Sequence, residues 1–387
     1  MDLRAHLLEL LAPLRPGEDL VPGARLLGIS TEVGFWLTLE LAKGEVQIEV
    51  APLGEGRFAA RSAHHAISYR DEGGRNRIDP ALGMTLCRAV AERVGRNEAR
   101  VAESLAQRAR EPSSARSARV REVRVESLLE TAGHGVERFF KLSPYAGCLI
   151  GCRYCYAQTP MSAVRRLEML PEVAWGSYVD VRINAAEVLA TELAQLAPRP
   201  IKFCPILSDP YQAVESRYRV TRACLETIRD ADRPWPTLLL TRSKLVTRDT
   251  DLFASLPSAW VGASIPSIDD ATRLHFEPRA ASIPERLEML ATLRAAGVRT
   301  FAVVQPLLPG SIEALADALA KVVTSVSIDV LRGEEQAVAD FDDPRYAESR
   351  ADAWQSARAA ELVAALTARN IPVWPGELPP QLLDEQP

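Results

Sequence analysis

Two different rhythms of apolar and polar residues divide this chain of 387 residues. In the first part, apolar and polar residues alternate along LLGISTEVGFWLTLEL, GEVQIEVAPL and RFAARSAHHAISY, which is typical of strands with one buried face. Helical spacing flanks these segments at Leu3 to Leu14 and at Leu82 to Val94. We therefore predict a small N-terminal α+β domain over residues 1–105.

A polar segment separates this domain from the rest of the chain. It contains Pro112, several serines and many arginines, a composition typical of connecting segments. We predict that residues 106–136 form a linker or an arginine-bearing arm, with a solvated connector as the simpler interpretation.

From Glu137 onward, short apolar runs alternate with amphipathic helical stretches. The predicted strands lie in RFFKLS, PIKFCPIL, PTLLLTR, AWVGASI, RTFAVVQPLL and SVSIDVL. The predicted helices lie at Ala185 to Leu196, Ser216 to Ala231, Arg248 to Leu256, Pro284 to Ala296 and Ile312 to Val322. Six such units predict an α/β fold, a partial (β/α)6 TIM-type barrel over residues 137–333, closed by a long helix and a tail at residues 334–387. Catalytic groups of such a barrel follow the carboxyl ends of its strands.

The composition limits the classes of function. With 47% hydrophobic and 25% charged residues, the chain is typical of a globular protein with a sizeable core. The sequence contains no apolar run as long as a membrane span, and acidic residues interrupt the N-terminal apolar stretch, so we predict a cytoplasmic protein with no membrane partner. The net charge of −5 means that nucleic-acid contact would need a local basic patch.

Three of the six cysteines lie close together in the sequence. The segment LSPYAGCLIGCRYCYAQ places Cys148, Cys152 and Cys155 at C-x3-C-x2-C, after the first barrel strand. Three thiolates on a short loop can bind three irons of a 4Fe-4S cluster and leave the fourth iron open. Gly147 and Gly151, each directly before a cysteine, suit a chain that wraps tightly around a cluster. A structural zinc site or a ferredoxin-type cluster would need a fourth ligand, which this motif lacks.

This motif has an aromatic residue before its last cysteine and lies at the start of the predicted βα barrel. In these features it resembles the motif of the radical S-adenosylmethionine (SAM) superfamily. The resemblance covers roughly Phe139 to Gly333. It implies that Cys148, Cys152 and Cys155 bind a 4Fe-4S cluster and that SAM chelates the open iron. It also implies that one electron, from an external reductant of the flavodoxin or ferredoxin type, cleaves SAM to methionine and a 5′-deoxyadenosyl radical.

Further segments are similar to spore photoproduct lyase and its relatives. They are the C-R-Y-C-Y form of the cysteine motif, LSDPYQ after the second strand, LTRSK after the third, GASIPS at the fourth, HFEP beyond it, and ERLEMLATLRAAGV before the fifth. The resemblance implies that the groups near SAM are Tyr156, Ser208, Asp209, Arg242 and Ser264. Glu277, within HFEP, is a further candidate for the site.

Most of these assignments have a simpler alternative. Ser208 and Ser264 could merely end their strands, and Asp209 could merely cap the next helix. Arg242 stands where the lyase has a lysine, although an arginine fork can also hold the SAM carboxylate.

A cysteine on the second strand of the lyase gives a hydrogen atom to the product radical. In this chain Cys204 lies four residues before Ser208, and the matching place holds Ile206. Two residues along a strand keep a side chain on the same face but move it by about 6.6 Å. Cys204 is therefore a candidate hydrogen donor or a buried core thiol. Tyr154 and Tyr156 are alternative radical-relay candidates, or they pack against the cluster.

Three functions remain open at this stage. The first is a lyase-like radical SAM enzyme, for which repair of a thymine photoproduct in DNA, with SAM regenerated, is the best-known activity of the group. The second is radical SAM modification of a peptide, a small molecule or another nucleic acid, with the N-terminal domain recognising the substrate. The third is a non-catalytic iron-sulfur binding or sensing protein.

Overall fold

The computed structural model describes residues 3–31, 35–53, 58–70, 78–110, 119–133, 138–167, 170–203, 207–329 and 337–384. The chain forms two compact units. The first consists of residues 1–118, 130–134 and 160–172, and the second of residues 119–129, 135–159 and 173–387. The first is built on an antiparallel sheet and the second mainly on a parallel one.

The sheet of the first unit has six strands among the described residues, in the order β1-β2-β3-β4-β6-β5. The strands are β1 (Asp19–Val21), β2 (Ala24–Ser30), β3 (Phe35–Leu41), β4 (Gly44–Pro52), β5 (Ala60–Arg61) and β6 (His65–Arg70). The helices before and after them are α1 (Leu3–Leu11) and α2 (Pro80–Arg110). On β3, Phe35, Leu37 and Leu39 are buried because alternate side chains face the core. They share that core with Leu86 and Val90 of α2.

Helix α2 is longer than the sequence pattern predicted. It continues to Arg110, past the predicted end at Val94 and into the segment predicted as a linker. Two features explain the extension. The apolar face continues to buried Val101, and the alanine, glutamate, glutamine and arginine residues that follow favour helix.

The described residues of the predicted linker also contain strands. These are β7 (Val120–Val123) and β8 (Leu129–Ala132). Strand β7 pairs in parallel with β11 (Val179–Arg182), which also pairs with β10 (Tyr145–Ala146). Across the β7–β11 pair, Arg121 Nε donates to Asp180 Oδ1 at 2.6 Å. Within the predicted linker or arginine-bearing arm, Val120–Val123 is therefore a paired strand. The local sequence pattern did not indicate this strand, because its partner lies far away in the sequence.

The largest sheet among the described residues has eight strands, and seven of them are parallel strands of the second unit. In their order in the sheet they are β9 (Phe139–Leu142), β12 (Ile201–Phe203), β13 (Thr237–Thr241), β14 (Ala259–Ser264), β15 (Arg299–Val304), β16 (Ser325–Ile328) and β17 (Val373–Trp374). The first six coincide with the six predicted strands, which confirms an α/β fold. Closure of this sheet into a partial barrel stays a prediction.

Helices and short connections alternate with these strands. The α-helices are α3 (Gln158–Leu167), α4 (Ala185–Gln195), α5 (Glu215–Tyr218), α6 (Val220–Arg229), α7 (Thr250–Ser255), α8 (Asp270–Phe276), α9 (Ile283–Ala295), α10 (Ile312–Val322), α11 (Val338–Phe341), α12 (Asp352–Thr367) and α13 (Pro380–Asp384). Two 3-10 helices span Lys244–Asp249 and Ala347–Arg350. None of the described helices combines the length and the apolar character needed to cross a membrane.

The register of the parallel strands brings their carboxyl ends together. Strands β13 and β14 pair from Thr237 opposite Ala259 to Thr241 opposite Ala263. All residues of both strands are buried, as expected for a parallel sheet that is covered on both faces. Because neighbouring strands run in the same direction, the residues that follow them lie at one edge of the sheet, where ligands bind in this class of fold.

Two predictions for the second unit need correction. The helix predicted from Ser216 to Ala231 is interrupted at Arg219, whose φ of 55° ends α5 before α6 begins. The long closing helix predicted within residues 334–387 is a 3-10 turn followed by α12, and the predicted tail contributes β17 to the sheet. A strand of two residues is too short to give a periodic signal.

Candidate functional site

The cysteine loop, residues 147–157, follows β9 and β10 in the chain. Cys148 and Cys152 are buried, Cys155 is half-buried, and all three are free thiols. They belong to one apolar cluster that also contains side chains of α8, α11 and the loop after β15. The fold therefore brings the three predicted ligands together in a largely buried setting.

The surroundings of these thiols oppose their ionisation. Burial, with the nearby carboxylate of Asp209, raises the pKa of Cys148 to about 12. Burial also raises the pKa of Cys152 and of Cys155 above the ordinary thiol value. Such thiols stay protonated until a metal ion displaces the proton.

Among the described residues, no group of three or more His, Cys, Asp or Glu side chains is arranged so that it could hold a metal ion. The three cysteines therefore form no single-ion site. A 4Fe-4S cluster makes a different demand, because each thiolate binds a different iron atom. Three free and largely buried thiols on one short loop suit that demand.

Glycines allow the cysteine loop to turn tightly. Gly147 and Gly151 have φ angles of +85° and +61°, in the left-handed region that favours glycine. A Cβ at Gly151 would lie only 2.7 Å from the Cα of Gly176 and would also collide with the guanidinium of Arg279. That guanidinium donates from Nη1 to the Gly176 carbonyl at 2.8 Å and from Nε to the carbonyl of Ile150 at 3.2 Å.

Two polar side chains after β12 also hold this part of the chain. Gln212 is buried; its Nε2 donates to the Gly147 carbonyl at 3.2 Å, and its Oε1 accepts from the Leu149 N–H at 2.8 Å. Ser208 Oγ donates to the main-chain oxygen of Tyr145 at 3.1 Å. Ser208, which the resemblance placed near SAM, thus also has a bond within the protein.

Asp209 joins the loop after β12 to the end of β13. Its carboxylate accepts hydrogen bonds from the Tyr211 N–H at 2.8 Å, the Thr241 hydroxyl at 2.6 Å and the Arg242 N–H at 2.7 Å. The side chain is buried, and burial raises its pKa. Its local role is to fix two strand ends rather than to cap the next helix, and a contact with SAM stays a prediction.

Glu277 is an acid near the cysteine loop whose carboxylate bonds to three other side chains. It is fully buried; its Oε1 accepts from the Tyr154 hydroxyl and from Arg242 Nε at 2.8 Å, and its Oε2 accepts from Arg286. Burial alone would raise the pKa of Glu277, but the charges of Arg286 and Arg242 and the Tyr154 hydroxyl hold it below its usual value. Glu277 is therefore ionised, whereas burial and the neighbouring Glu277 keep Tyr154 protonated by raising its pKa.

Arg242 and Ser264 offer unused polar groups beside the cysteine loop. Arg242 donates to Glu277 through Nε, and its Nη1 and Nη2 have no hydrogen-bond partner among the described residues. The positive charge of Arg242 opposes the rise of the Cys152 pKa that burial causes. The Ser264 hydroxyl is buried and also lacks a hydrogen-bond partner among the described residues. A buried polar group is normally paired, so the Ser264 hydroxyl suits a polar ligand. The side chain of Arg242 is 16% exposed, so a ligand can reach its terminal donors.

The two tyrosines of the cysteine loop differ in exposure. Tyr154 is buried, whereas Tyr156 is 38% exposed. Cys204, the candidate hydrogen donor, lies outside the described residues. Cys87 and Cys224 are buried in the cores of the first and second units.

Sequence reasoning did not identify three of the residues that support this site. These are Gln212, Arg279 and Arg286. Gln212 and Arg286 lie within the quoted segments LSDPYQ and ERLEMLATLRAAGV, so the resemblance marked their neighbourhoods but not their roles. Arg279 follows HFEP directly, and nothing in its local pattern indicated a contact with the cysteine loop.

Comparisons with known proteins bear on this arrangement. No family model matches the chain. A region of 177 residues, 45% of this chain, is 29% identical to an uncharacterized protein of Methanocaldococcus jannaschii and covers 62% of that protein. A region of 168 residues, 43% of this chain, is 23% identical to the radical SAM Nalpha-GlyT isomerase of Pseudomonas phage M6 and covers 33% of it. This chain resembles radical SAM enzymes.

The resemblance to radical SAM proteins predicted from the cysteine motif is thus confirmed. Among solved structures, the chain is similar to spore photoproduct lyase, with 16% identity and a TM-score of 0.49 over 68% of this chain and 83% of that one. The chain spans less than two thirds of the length of the two sequence relatives.

Proposed function

We propose that this protein is a radical SAM enzyme that reductively cleaves SAM at a 4Fe-4S cluster held by Cys148, Cys152 and Cys155. One observation carries the proposal. Three free thiols share one short loop, and Arg242 and Ser264 offer unpaired polar groups at the ends of two strands of the adjacent parallel sheet. The resemblance to radical SAM enzymes supports it.

The protein's own groups have distinct tasks in this proposal. The bound cluster and SAM supply one-electron cleavage and a 5′-deoxyadenosyl radical, a chemistry that protein side chains lack. The Arg242 guanidinium orients the SAM carboxylate through its two free nitrogens, and the Ser264 hydroxyl donates a further hydrogen bond. Tyr154 stays protonated and fixed by Glu277. The apolar cluster around the cysteines limits the access of water.

The electron and the substrate come from outside the chain. We propose an external reductant of the flavodoxin or ferredoxin type, as the resemblance implies. Repair of a DNA photoproduct stays a prediction, as does hydrogen donation by Cys204. If the lyase-like chemistry holds, SAM is regenerated, so 5′-deoxyadenosine stays at trace levels relative to product. If a peptide or small molecule is modified instead, 5′-deoxyadenosine accumulates in step with product.

Cysteine variants test the proposal. The wild-type protein is reconstituted anaerobically with iron and sulfide, reduced with dithionite and incubated with SAM, beside C148A, C152A, C155A and the control C87A. We expect the wild type and C87A to bind iron and cleave SAM, because Cys87 is buried in the core of the other unit. Each loop variant should lose at least 90% of the cleavage. Full cleavage by any loop variant would refute the ligand assignment.

A further inference from the structure

In the proposed reaction Glu277 only fixes Tyr154, yet its carboxylate is fully buried and also bonds to two arginines. We propose that Glu277 is a positioning residue. It fixes the guanidinium of Arg242 so that the two terminal nitrogens remain available to bind the SAM carboxylate. The inference rests on the proposed function, because it assigns a role within the same site.

The contacts of Glu277 come from three separate parts of the chain. The Tyr154 hydroxyl belongs to the cysteine loop, Arg242 follows β13, and Arg286 lies on α9. One carboxylate therefore connects the loop that carries the cysteines to the strand end that carries Arg242. A displacement of Glu277 would change the position of both together.

The two arginines bonded to Glu277 differ in how many donors they have left. All three guanidinium nitrogens of Arg286 are bonded within the protein: Nε to the Ala281 carbonyl at 2.9 Å, Nη1 to the Ser264 carbonyl at 2.6 Å, and Nη2 to Glu277. Arg242 uses only Nε for Glu277. Arg286 is thus a structural partner, whereas Arg242 still has donors for a ligand.

The bond from Arg242 Nε to Glu277 limits how Arg242 can bind the carboxylate of a ligand. With Nε occupied by Glu277, the pair Nη1 and Nη2 of Arg242 is left for an end-on, two-point contact with a second carboxylate. The side chain of Arg242 is 16% exposed, whereas those of Glu277 and Arg286 are fully buried. Of these three groups, Arg242 is therefore the one that a ligand can reach.

Equilibrium binding of SAM to the reconstituted protein tests this role. Glu277→Gln keeps the shape of the side chain but removes its charge, and we expect the Kd for SAM to rise about 10-fold, the usual scale for losing a supporting hydrogen-bond partner. Glu98→Gln is the matched control. Glu98 is a buried carboxylate of the first unit that accepts from Ser62 Oγ at 2.7 Å and from the Ala63 N–H at 2.9 Å. The control should bind SAM like the wild type.

A double-mutant cycle separates positioning from general damage. If Glu277 acts through Arg242, E277Q should raise the Kd in the wild-type background but have no further effect in R242A. Iron content is measured in all variants and should stay at the wild-type level. If E277Q does not fold, Glu277→Asp replaces it; this variant keeps the charge but withdraws the carboxylate by one methylene, so the Kd should rise as well.

The outcomes separate the inference from the proposed function. A wild-type Kd in E277Q, or an equal loss in the wild-type and R242A backgrounds, would overturn the positioning role alone. A reconstituted wild-type protein that does not bind SAM would overturn the proposed function, and the inference with it.

Discussion

Arg279 donates a hydrogen bond from Nε to the main-chain oxygen of Ile150, 3.2 Å away, although the two residues are far apart in the sequence. The same guanidinium bonds to the Gly176 carbonyl at 2.8 Å. One side chain therefore joins the cysteine loop to a second loop, and it occupies the space where a Cβ on Gly151 would lie. The path of the cysteine loop thus depends on residues outside its own motif.

An alanine at residue 151 should prevent normal cluster assembly. Gly151→Ala places a Cβ in a left-handed conformation, which costs about 1–2 kcal/mol, and pushes it against Arg279 and Gly176. Gly297→Ala is the matched control, because Gly297 has a φ of +84° but no atom within 4 Å of the added Cβ. We expect G297A to lose about 1 kcal/mol of stability and to keep its iron, whereas G151A loses most of it. Equal iron contents would contradict this account.

Gln212 should be needed to hold the cysteine loop in place. Gln212→Leu removes both amide contacts with the Gly147 and Leu149 main chain. Gln355→Leu is a comparable change elsewhere, because buried Gln355 also bonds to main-chain atoms, at Leu307 and Ser349. Both variants should lose about 1–3 kcal/mol of stability, but only Q212L should show less iron per chain after reconstitution. Similar iron loss in Q355L would show that the effect is not specific to the loop.

Ser264 should contribute to SAM binding without contributing to stability. Its buried hydroxyl has no hydrogen-bond partner among the described residues, so Ser264→Ala should leave the free energy of unfolding unchanged or slightly higher. The Kd for SAM should rise about fivefold, the equivalent of one ordinary hydrogen bond.

Ser325→Ala is the control for the measurements of stability and of SAM binding in Ser264→Ala. Ser325 Oγ accepts a hydrogen bond from Trp374 Nε1 at 3.1 Å, so its loss should cost about 1 kcal/mol of stability and leave SAM binding unchanged. A stable S264A protein that binds SAM as tightly as the wild type would remove Ser264 from the site.

Acid should remove the contribution of Asp249 to stability. Asp249 is buried and accepts hydrogen bonds from Arg248, Arg222 and Tyr211. Burial would raise the pKa of Asp249, but these bonds hold it below its usual value. Because the pKa in the folded protein lies below the unfolded value of about 3.9, the contribution is complete above that pH and is lost as the pH falls through the folded pKa.

The comparison with Asp249→Asn measures this contribution by urea unfolding. At neutral pH the variant should be less stable by about 3 kcal/mol, because two arginines lose their buried partner. Below about pH 4 the difference should shrink, since the wild-type carboxylate is then protonated as well. A difference that stays constant down to about pH 2 would argue against the ion-pair account.

Local patterns predicted the second unit well and the connections poorly. The six apolar runs form strands, and each run is long enough for a buried strand to be recognised from the sequence. The cysteine spacing could also be recognised directly, because it lies within one loop. By contrast, β7 and β17 gave no usable signal, since each is a short segment whose partner strand lies far away in the sequence. Helix α2 passed its predicted end because its apolar face continues to buried Val101 and the residues after it favour helix.

Only part of the candidate site could be predicted. Motif spacing pointed to the cysteines as cluster ligands, and the resemblance pointed to Arg242 and Ser264 as groups near SAM; these assignments stay predictions. The tasks of Arg279 and Gln212 could not be predicted, because both bond to main-chain atoms of the cysteine loop. All residues have these main-chain atoms, so the residue types of the loop do not indicate which side chain will bond to them.

The most direct measurement is the formation of 5′-deoxyadenosine from SAM by the reconstituted wild-type protein, quantified by chromatography after reduction with dithionite. Without a reductant there should be none. With it, we expect 5′-deoxyadenosine and methionine in equal amounts, and more than one equivalent per cluster if slow uncoupled cleavage continues without substrate. A protein that holds its full complement of iron, is reduced, and leaves SAM intact would contradict radical SAM chemistry and favour an iron-sulfur protein of another kind.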